Sequence, residues 1–474
     1  MQALEMSSAR EVNSQSTATL IKNARGIQSI VQGWSQERVD DVVSAVAWHA
    51  FKEGTARRLS QQAVLQTGLG SVEDTYARHR QRILGIMRDL DRVVTVGVIE
   101  ECPERGLRKI AKPVGVIGAM TPATAPVAAV VVNALAMLKT RNAVVFCPNP
   151  LARDVVIETV DVLRGALNQV GAPQDIFQCV SDPSREQALE LMAAVDLVVA
   201  AGGQGTVRRA GLSGTPAYGA GTGNAVVLVD ETADLIKAAQ KIIAGKSFDN
   251  GTSCSSESSL VVAASIYDAL IEQLKANGAH LCEAEEARRL RETAWPDGKA
   301  LSRKVVGKNA ESIAQCAGIR VAEGTRVLMV AGDNSSAKDP VAGEKLSPIL
   351  GLWKYDEGID SGIELIKRLI HFSGRGHSCG IYSHSRDHID RLGAAANVSR
   401  MMVNQSTGFG NTGSVDNGMP VSVVLSCGTW GGSTTNENVN WHHFVNKTWV
   451  SEPIPPRLPD HNAMFERHWV RYGK

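Results

Sequence analysis

The stretch of sequence that decides the fold is VGVIGAMTPATAPVAAVVVNALAMLKTRNAVVFC, residues 114–147. Residues 114–120 and 142–147 are short apolar runs, typical of strands buried on both faces of a sheet. Residues 128–139 between them are predicted to form a helix. A buried strand, a helix and a second buried strand predict two parallel strands of one sheet that is covered by helices.

The same alternation continues beyond residue 147. We predict a helix over 153–170, a strand over 176–180, a helix over 185–194 and a strand over 196–201. A second α/β region is expected over about 230–430. The fold class predicted from this pattern is therefore α/β, with parallel sheets.

The segments that flank this alternation have other patterns. Residues 9–92 are predicted to be mostly helical, with Ser35 as an N-cap. Residues 94–113 are predicted to form a β-hairpin around a turn at 103–106. The C-terminal segment is polar and aromatic, and we expect it to dock on another subunit because its tryptophans and Phe465 require burial.

The composition is that of an ordinary globular protein of two or three domains. The chain has 474 residues, of which 43% are hydrophobic and 21% are charged. A formal net charge of +1 argues against a nucleic-acid partner. The longest apolar run, 127–138, is too short to span a bilayer, and the N-terminus does not resemble a signal peptide. We therefore expect a cytoplasmic protein without a membrane partner.

The cysteines and histidines do not have the spacing of a metal site. The eight cysteines include no Cys-x-x-Cys pair, and scattered free cysteines fit a reducing cytosol. The pair His442-His443 is expected on a strand, where adjacent side chains point to opposite faces. No metal is expected.

Cys254 is the candidate nucleophile. It follows a predicted amphipathic helix (235–246) and lies among small and polar residues, so we expect it to be exposed at a turn. A reactive thiolate requires nearby backbone N–H groups or positive charge to lower its pKa. The alternative is a buried, inert cysteine, as Cys427 is expected to be among its apolar neighbours.

Two glycine-rich segments upstream predict a cofactor site. Residues 202–206 join a predicted strand to a helix, whose N-terminal N–H groups bind phosphates well, and Gly203, Gly205 and Thr206 are the candidates there. Residues 217–224 require close backbone approach or positive φ, notably at Gly221 and Gly223. A tight turn and a flexible linker are the respective alternatives.

The motifs in this order resemble the aldehyde dehydrogenase superfamily, and specifically its CoA-acylating branch. The resemblance extends from about residue 35 to about residue 447. The matching segments are 113–117, 139–142, 221–224, 248–254, 344–348, 376–378 and 427–432.

This resemblance implies an aldehyde dehydrogenase-like architecture. A Rossmann-like NAD(P)-binding domain would cover residues 1–229, with the hairpin at 94–113 contributing to oligomerisation. An α/β catalytic domain would cover 230–430, and an oligomerisation strand with a C-terminal tail would cover 431–474. A homodimer or homotetramer is implied.

The resemblance also implies the chemistry. Cys254 adds to an aldehyde carbonyl, hydride leaves to the nicotinamide, and an enzyme thioester remains. Glu344 matches the residue that holds the nicotinamide ribose. Hydrolytic relatives have a water-activating glutamate in the loop equivalent to 219–224, but this loop contains only Gly, Ala, Thr and Asn. Coenzyme A is therefore expected to accept the acyl group.

Two further residues are assigned roles near the nucleophile. Thr124 stands two residues before Pro126, where the superfamily usually has an asparagine that stabilises the oxyanion, so its hydroxyl and the Cys254 N–H are the candidates. His377 follows a glycine turn, and with a pKa near neutrality it could relay protons. A role for His377 in structuring the turn is equally compatible with the sequence.

The cofactor prediction rests on residues 144–153. NAD-preferring relatives often have a glutamate where Pro150 falls, to bind the adenosine ribose. The absence of that carboxylate, with Pro148 at the strand end and Arg153 nearby, favours NADP, while NAD stays open.

The substrate prediction rests on residues 404–411, which are rich in hydrogen-bond donors. This stretch resembles acylating sulfoacetaldehyde dehydrogenases, and Gln405, Ser406 and Thr407 are the sulfonate-binding candidates. The predicted reaction is oxidation of sulfoacetaldehyde to sulfoacetyl-CoA. Acetaldehyde, propionaldehyde and succinate semialdehyde are alternative substrates. Reduction of an acyl phosphate is another reading, as is a microcompartment module with a targeting helix in 9–33.

Overall fold

The N-terminal part of the chain is helical. The computed structural model describes residues 15–334 and 339–474. Four helices come first: α1 (Thr17–Val31), α2 (Gln36–Phe51), α3 (Glu53–Thr67) and α4 (Val72–Leu90). Ser35 caps α2 by accepting a hydrogen bond from the N–H of Arg38 at 3.2 Å. The helical prediction is confirmed from residue 17 onward, and residues 9–14 lie outside the described part.

The predicted hairpin is present. Strands β1 (Gly97–Cys102) and β2 (Leu107–Pro113) are antiparallel, and Gly97 pairs with Ala111. Gly106 ends the intervening turn with φ of 59°. This left-handed conformation suits glycine because it has no Cβ.

A five-stranded parallel sheet follows, and the predicted alternation of strands and helices is confirmed. Its strands are β3 (Val116–Met120), β4 (Ala143–Cys147), β5 (Phe177–Cys179), β6 (Leu197–Ala201) and β7 (Ala217–Ala220). Its helices are α5 (Pro126–Lys139), α6 (Arg153–Gln169), α7 (Arg185–Ala194) and α8 (Gln204–Gly211). The strand order is β5-β4-β3-β6-β7. The connections therefore leave in opposite directions from β3 and β6, where open α/β sheets have their ligand crevice.

A seven-stranded parallel sheet forms the second region. Its strands are β8 (Ala225–Val229), β9 (Glu257–Ala263), β10 (Ala279–Leu281), β11 (Val327–Ala331), β12 (Ile349–Tyr355), β13 (Cys379–Tyr382) and β14 (Met401–Val403). Their order is β10-β11-β12-β9-β8-β13-β14. The helices are α9 (Leu235–Ser247), α10 (Tyr267–Ala276), α11 (Ala284–Ala294), α12 (Ala310–Cys316), α13 (Gly358–Phe372), α14 (Arg386–Ala395) and α15 (Thr407–Gly410).

The division between the two regions differs from the expected boundary at residue 229. Strand β8 pairs with β9 and β13 inside the seven-stranded sheet, so the chain passes between the sheets at residues 221–224. Val421, Val424 and Phe444 return to the first region and pack against its helices. An apolar strand pattern does not state which sheet the strand joins, and this is why the boundary was misplaced.

The C-terminal segment completes a three-stranded sheet. Strand β15 (Val445–Ser451) pairs antiparallel with β2, so the hairpin and the C-terminal strand, both assigned to oligomerisation by the resemblance, lie in one sheet; that role stays a prediction. Helix α16 (His461–Tyr472) has no buried residue among those described, and Trp449 and Phe465 are more than half exposed. Docking of this segment on another subunit stays a prediction. Of the helices described here, none has the length and apolar character needed to cross a membrane.

Candidate active site

The chain enters the active site through a left-handed turn between α9 and Cys254. Asp249 and Asn250 have φ values of 50° and 53°, a conformation that non-glycine residues rarely adopt. Hydrogen bonds hold the turn in place: the buried Asp249 carboxylate accepts from Ser71 N–H at 2.9 Å and from Thr252 Oγ1 at 2.7 Å. Arg78 also pairs with this carboxylate. The nucleophile turn is therefore tied to helix α4 of the first region.

Gly223 lies directly against Cys254. A Cβ at Gly223 would overlap the Cys254 carbonyl group and would stand 2.8 Å from the Cys254 Cβ. The Gly223 N–H donates a hydrogen bond to the Glu344 carboxylate at 2.8 Å. The close backbone approach expected in the second glycine segment thus exists, and its partner is the nucleophile.

The Cys254 thiol differs from the expectation of an exposed, activated group. The residue is only partly exposed, and burial raises the pKa of its thiol to about 12, with Glu344 and Cys427 adding to the effect. Arg400 acts in the opposite direction. The thiol is therefore protonated in this state, because loss of water disfavours the charged thiolate.

Glu344 lines a cleft next to the nucleophile loop. Burial raises the pKa of its carboxyl group to about 8, against the opposing influence of the Gly223 N–H and Lys246. Glu344 and Thr222 line a cleft of about 480 Å³ together with Phe372. The carboxyl group is placed between this cleft and the nucleophile loop, and its ribose-binding role stays a prediction.

A cleft at the ends of β3, β4 and β6 lies where the sequence predicts the dinucleotide cofactor, and we name it the dinucleotide cleft. Its volume is about 300 Å³, and Pro148, Gly203 and Thr206 are among its lining residues, whereas Gly205 lies on the exposed side of α8. A Cβ added at Gly203 would meet no atom within 4 Å, so the space above the glycine turn is open. The α8 N-terminus receives no side-chain cap from the described part of the chain. Its free N–H groups suit a phosphate.

Arg153 does not occupy the position expected for a 2′-phosphate ligand. Its Nε pairs with the neighbouring Asp154 at 2.8 Å, and the cleft is lined by Arg185 and Arg209 instead. Arg209 donates to Thr206 Oγ1 at 3.1 Å. The sequence feature that could have identified these two arginines is their position: Arg185 begins α7 after Ser184, and Arg209 lies on α8 after the glycine turn. That α7 and α8 line the same cleft was not visible in the sequence.

Thr124 is linked to the nucleophile turn through an arginine. Its carbonyl accepts a hydrogen bond from Arg78 at 3.3 Å, and the same guanidinium pairs with Asp249. The residue is partly exposed at the entrance to α5. This position is compatible with the oxyanion role, which stays a prediction.

His377 is neutral and buried. Burial and the nearby Arg400 charge lower the pKa of its imidazole to about 3, so the expected near-neutral pKa is wrong. Its ring Nδ1 lies 2.9 Å from Ser378 Oγ, and its backbone N–H donates to the Gly374 carbonyl at 3.0 Å. These contacts match the alternative reading, in which His377 structures the turn.

Gln405, Ser406 and Thr407 make hydrogen bonds within the protein, and their role in binding a sulfonate stays a prediction. The Ser406 hydroxyl and the Thr407 N–H donate to the buried Glu257 carboxylate at 2.7 and 2.8 Å, and Gln405 accepts from Asn417 at 2.9 Å. Burial raises the pKa of the Glu257 carboxyl group. The Thr407 hydroxyl is buried without a hydrogen-bond partner in the described structure.

The geometric argument against a metal at His442-His443 is wrong. The two histidines lie on a short 3-10 helix, Trp441–Phe444, and both Nε2 atoms approach Glu437, at 2.7 and 3.2 Å. Adjacent side chains point to opposite faces only on a strand. Hydrogen bonds to Glu437 and to the Asn440 N–H account for the cluster.

Comparison with known proteins agrees with this geometry. The aldehyde dehydrogenase family matches residues 29–295. The sulfoacetaldehyde dehydrogenase of Acholeplasma sp. is 40% identical over 94% of this chain and 92% of its own. The acylating sulfoacetaldehyde dehydrogenase of Bilophila wadsworthia is also 40% identical, over 95% of this chain and 98% of its own. The structure of an acetylating aldehyde dehydrogenase from Geobacillus thermoglucosidasius superposes with a TM-score of 0.90 at 33% identity. The match covers 94% of this chain and 98% of that one.

Proposed function

The chain belongs to the aldehyde dehydrogenase family, and from this membership we propose that it oxidises sulfoacetaldehyde to sulfoacetyl-CoA with NADP⁺. The observation that carries the proposal is the loop packed against Cys254. That loop presents Gly223 to the nucleophile and contains no acidic side chain. A CoA-acylating enzyme requires a thioester that water does not cleave.

The nearest carboxyl group does not supply the missing base. Glu344 is bound to the Gly223 N–H, and its pKa of about 8 keeps it mostly protonated at pH 7. A protonated carboxyl group cannot accept a proton from water. The thioester is therefore preserved until a stronger nucleophile, the CoA thiol, reaches it.

The reaction follows from the groups around Cys254. After its proton has left to solvent, the Cys254 sulphur adds to the aldehyde carbon and forms a hemithioacetal. A nicotinamide cofactor bound in the predicted site would supply the hydride acceptor for that carbon. The Cys254 N–H and the Thr124 hydroxyl are the proposed donors to the oxyanion. The CoA sulphur then attacks the thioester carbon, and the Cys254 sulphur leaves.

The cofactor and the substrate are supported by different observations. Arg185 and Arg209 place positive charge in the dinucleotide cleft, which favours the 2′-phosphate of NADP⁺ over NAD⁺. The names of the relatives support sulfoacetaldehyde. Acetaldehyde, propionaldehyde and succinate semialdehyde would use the same chemistry at Cys254.

We also propose a homodimer or homotetramer. Val98 on β1, Trp449 on β15 and Phe465 on α16 leave apolar surface exposed around the three-stranded sheet. Such surface is typical of subunit contacts. Light scattering after size exclusion tests the proposal, and a monomer at micromolar concentration contradicts it.

The test of the activity is cofactor reduction, followed by absorbance, with sulfoacetaldehyde and NADP⁺ in the presence and absence of CoA. Turnover that requires CoA is expected, and Cys254→Ala abolishes it. Cys316→Ala, at an exposed cysteine on α12, is the matched control. Turnover without CoA would contradict the acylating mechanism. Activity on propionaldehyde alone would remove the substrate assignment and leave the mechanism intact.

A further inference from the structure

A histidine, a cysteine and a glutamate meet where the chain passes from β10 into α11. His280 lies on β10, Cys282 follows the strand, and Glu286 lies in the first turn of α11. An imidazole nitrogen, the thiol sulphur and a carboxylate oxygen of these residues lie within 4.8 Å of one another. The His280 Nε2 is 2.9 Å from the Glu286 carboxylate. We name the three residues the edge cluster, because β10 is an edge strand of the seven-stranded sheet.

The backbone around the edge cluster is held by hydrogen bonds. The Cys282 N–H donates to the Met329 carbonyl at 2.9 Å, which continues the pairing of β10 with β11. His280 and Cys282 are two residues apart in this extended segment, so their side chains point to the same face. Glu286 belongs to the capping box of α11, and its carboxylate also accepts from the Glu283 N–H at 3.1 Å. Two paired elements therefore present the three side chains to one another.

The Cys282 thiol is buried without a partner. The residue is 7% exposed, it forms no disulfide, and its sulphur makes no hydrogen bond to the residues that the structure describes. The side chains beside it are more accessible, at 26% exposed for His280 and 18% for Glu286. The cluster thus combines a buried thiol with an opening to solvent, through which an ion can enter.

The arginines on α11 are engaged in other contacts. Arg291 pairs with the Asp339 carboxylate at 3.2 Å, and Arg289 lies 3.9 Å from the Glu285 carboxylate. Within the described part of the chain, neither guanidinium donates to Glu286. The Glu286 carboxylate is therefore available to a cation.

We propose that the edge cluster binds Zn²⁺ through the His280 imidazole, the Cys282 thiolate and the Glu286 carboxylate. Zinc is bound in proteins by these three kinds of ligand, and the ligands of one tetrahedral ion are about 3–4 Å apart. Small side-chain movements therefore close the cluster around an ion, and water takes the fourth position. The thiol proton leaves to solvent on binding, and the two anionic ligands neutralise the charge of the ion.

This zinc site is structural and lies away from the reacting atoms. Cys254 precedes β9 at the amino ends of the parallel strands, whereas Cys282 follows β10 at their carboxyl ends. Strands β11 and β12 also separate β9 from β10. A bound ion would join α11 to the edge strand. The expectation of no metal rested on spacing along the chain, and the turn into α11 brings together residues that this spacing does not identify.

The experiment measures zinc bound per chain after treatment with a chelator and dialysis against micromolar Zn²⁺. It uses Cys254→Ala protein, because the candidate nucleophile is another thiol that can bind zinc. One ion per chain is expected. In this background, Cys282→Ser and His280→Gln should each weaken binding by about 100-fold or more. Glutamine at 280 can still donate to Glu286, so this variant is expected to keep the fold.

Two matched controls should bind zinc as tightly as the Cys254→Ala protein. Cys316→Ser removes an exposed thiol on α12. His442→Gln changes the histidine that contacts Glu437 at 2.7 Å. Zinc that is lost in His442→Gln and kept in His280→Gln would overturn the inference, because the ion would then lie at Glu437.

Cobalt provides a second measurement that reports the ligands directly. Co²⁺ bound to a thiolate gives a near-ultraviolet charge-transfer band, which is expected in Cys254→Ala protein and absent after the further change Cys282→Ser. Zinc at about 100 times its Kd should also raise Tm by about 3–5 °C, and it should not do so in His280→Gln. Absence of bound zinc, absence of the cobalt band, or equal zinc binding by His280→Gln would overturn the inference.

Discussion

The Ser406 hydroxyl donates a 2.7 Å hydrogen bond to the carboxylate of Glu257, and both side chains are buried. Glu257 begins β9, three residues after Cys254. Gly245 of α9 packs so closely against the pair that a Cβ there would overlap Glu257. This hydrogen bond and the close packing of Gly245 therefore hold α9, β9 and the segment after β14 together next to the nucleophile turn.

Ser406→Ala should destabilise the protein without changing its substrate preference. The substitution leaves one oxygen of the buried Glu257 carboxylate without its hydroxyl donor, at a cost of about 1–3 kcal/mol. Urea denaturation measures the loss, and the ratio of kcat/KM for sulfoacetaldehyde and propionaldehyde measures preference. Ser361→Ala, at a partly exposed serine with a local hydrogen bond, is the control. A changed ratio would return Ser406 to the sulfonate site.

Gly223→Ala should lower activity strongly with little loss of cofactor affinity. The added methyl group overlaps the Cys254 backbone, so the nucleophile or the loop must shift. A displacement of the reacting atom by about 1 Å is expected to lower kcat by about 100-fold. Steady-state kinetics with varied NADP⁺ separates the two effects. Gly165→Ala, on α6 where an added Cβ meets no atom, should retain full activity.

Arg209→Gln should raise KM for NADP⁺ about tenfold or more and leave KM for NAD⁺ within about twofold. The reason is its position in the dinucleotide cleft, where only the 2′-phosphate distinguishes the cofactors. Arg208→Gln changes the adjacent, exposed arginine of the same helix and serves as control. Equal effects on both cofactors would place Arg209 at the pyrophosphate instead.

Acid should destabilise the protein through His79. Burial lowers the pKa of this imidazole from 6.5 to about 4 in the folded state. The unfolded chain therefore binds a proton at a higher pH than the folded chain. The stabilisation is complete above pH 6.5 and is lost as the pH falls towards 4, by about 2 kcal/mol at pH 5.

His79→Gln should remove this part of the acid sensitivity, and a glutamine amide can still donate to the Ala50 carbonyl that His79 contacts at 2.9 Å. Urea midpoints at pH 7.5 and pH 5.0 provide the measurement. His468→Gln, on the exposed helix α16, should retain the sensitivity of the unaltered protein. Parallel acid sensitivity in both variants would contradict the prediction.

Periodicity predicted the elements well because most strands here are fully buried. Runs such as 114–120 and 196–201 differ from the observed β3 and β6 by one or two residues. The same property prevented prediction of the domain boundary from the sequence. Strand β8 has the apolar composition of its neighbours, and only its pairing with β9 and β13 assigns it to the second sheet.

The candidate site was predicted where a residue's role depends on its neighbours in sequence. The glycine loop at 221–224, the helix N-terminus at Gly203 and the position of Cys254 before β9 were visible in this way. The burial of Arg400 was not visible, because nothing in its local sequence distinguishes a buried guanidinium from a solvated one.

The sequence by itself determined the α/β alternation, the family and the absence of a glutamate in the loop beside the nucleophile. Only the tertiary structure decided that Ser406 binds Glu257, that His377 is neutral and that Arg400 is buried with its Nε and Nη1 unpartnered among the described residues. The physical reason is that local pattern follows from neighbours along the chain, whereas charge, burial and hydrogen bonding depend on groups that folding brings together from distant positions.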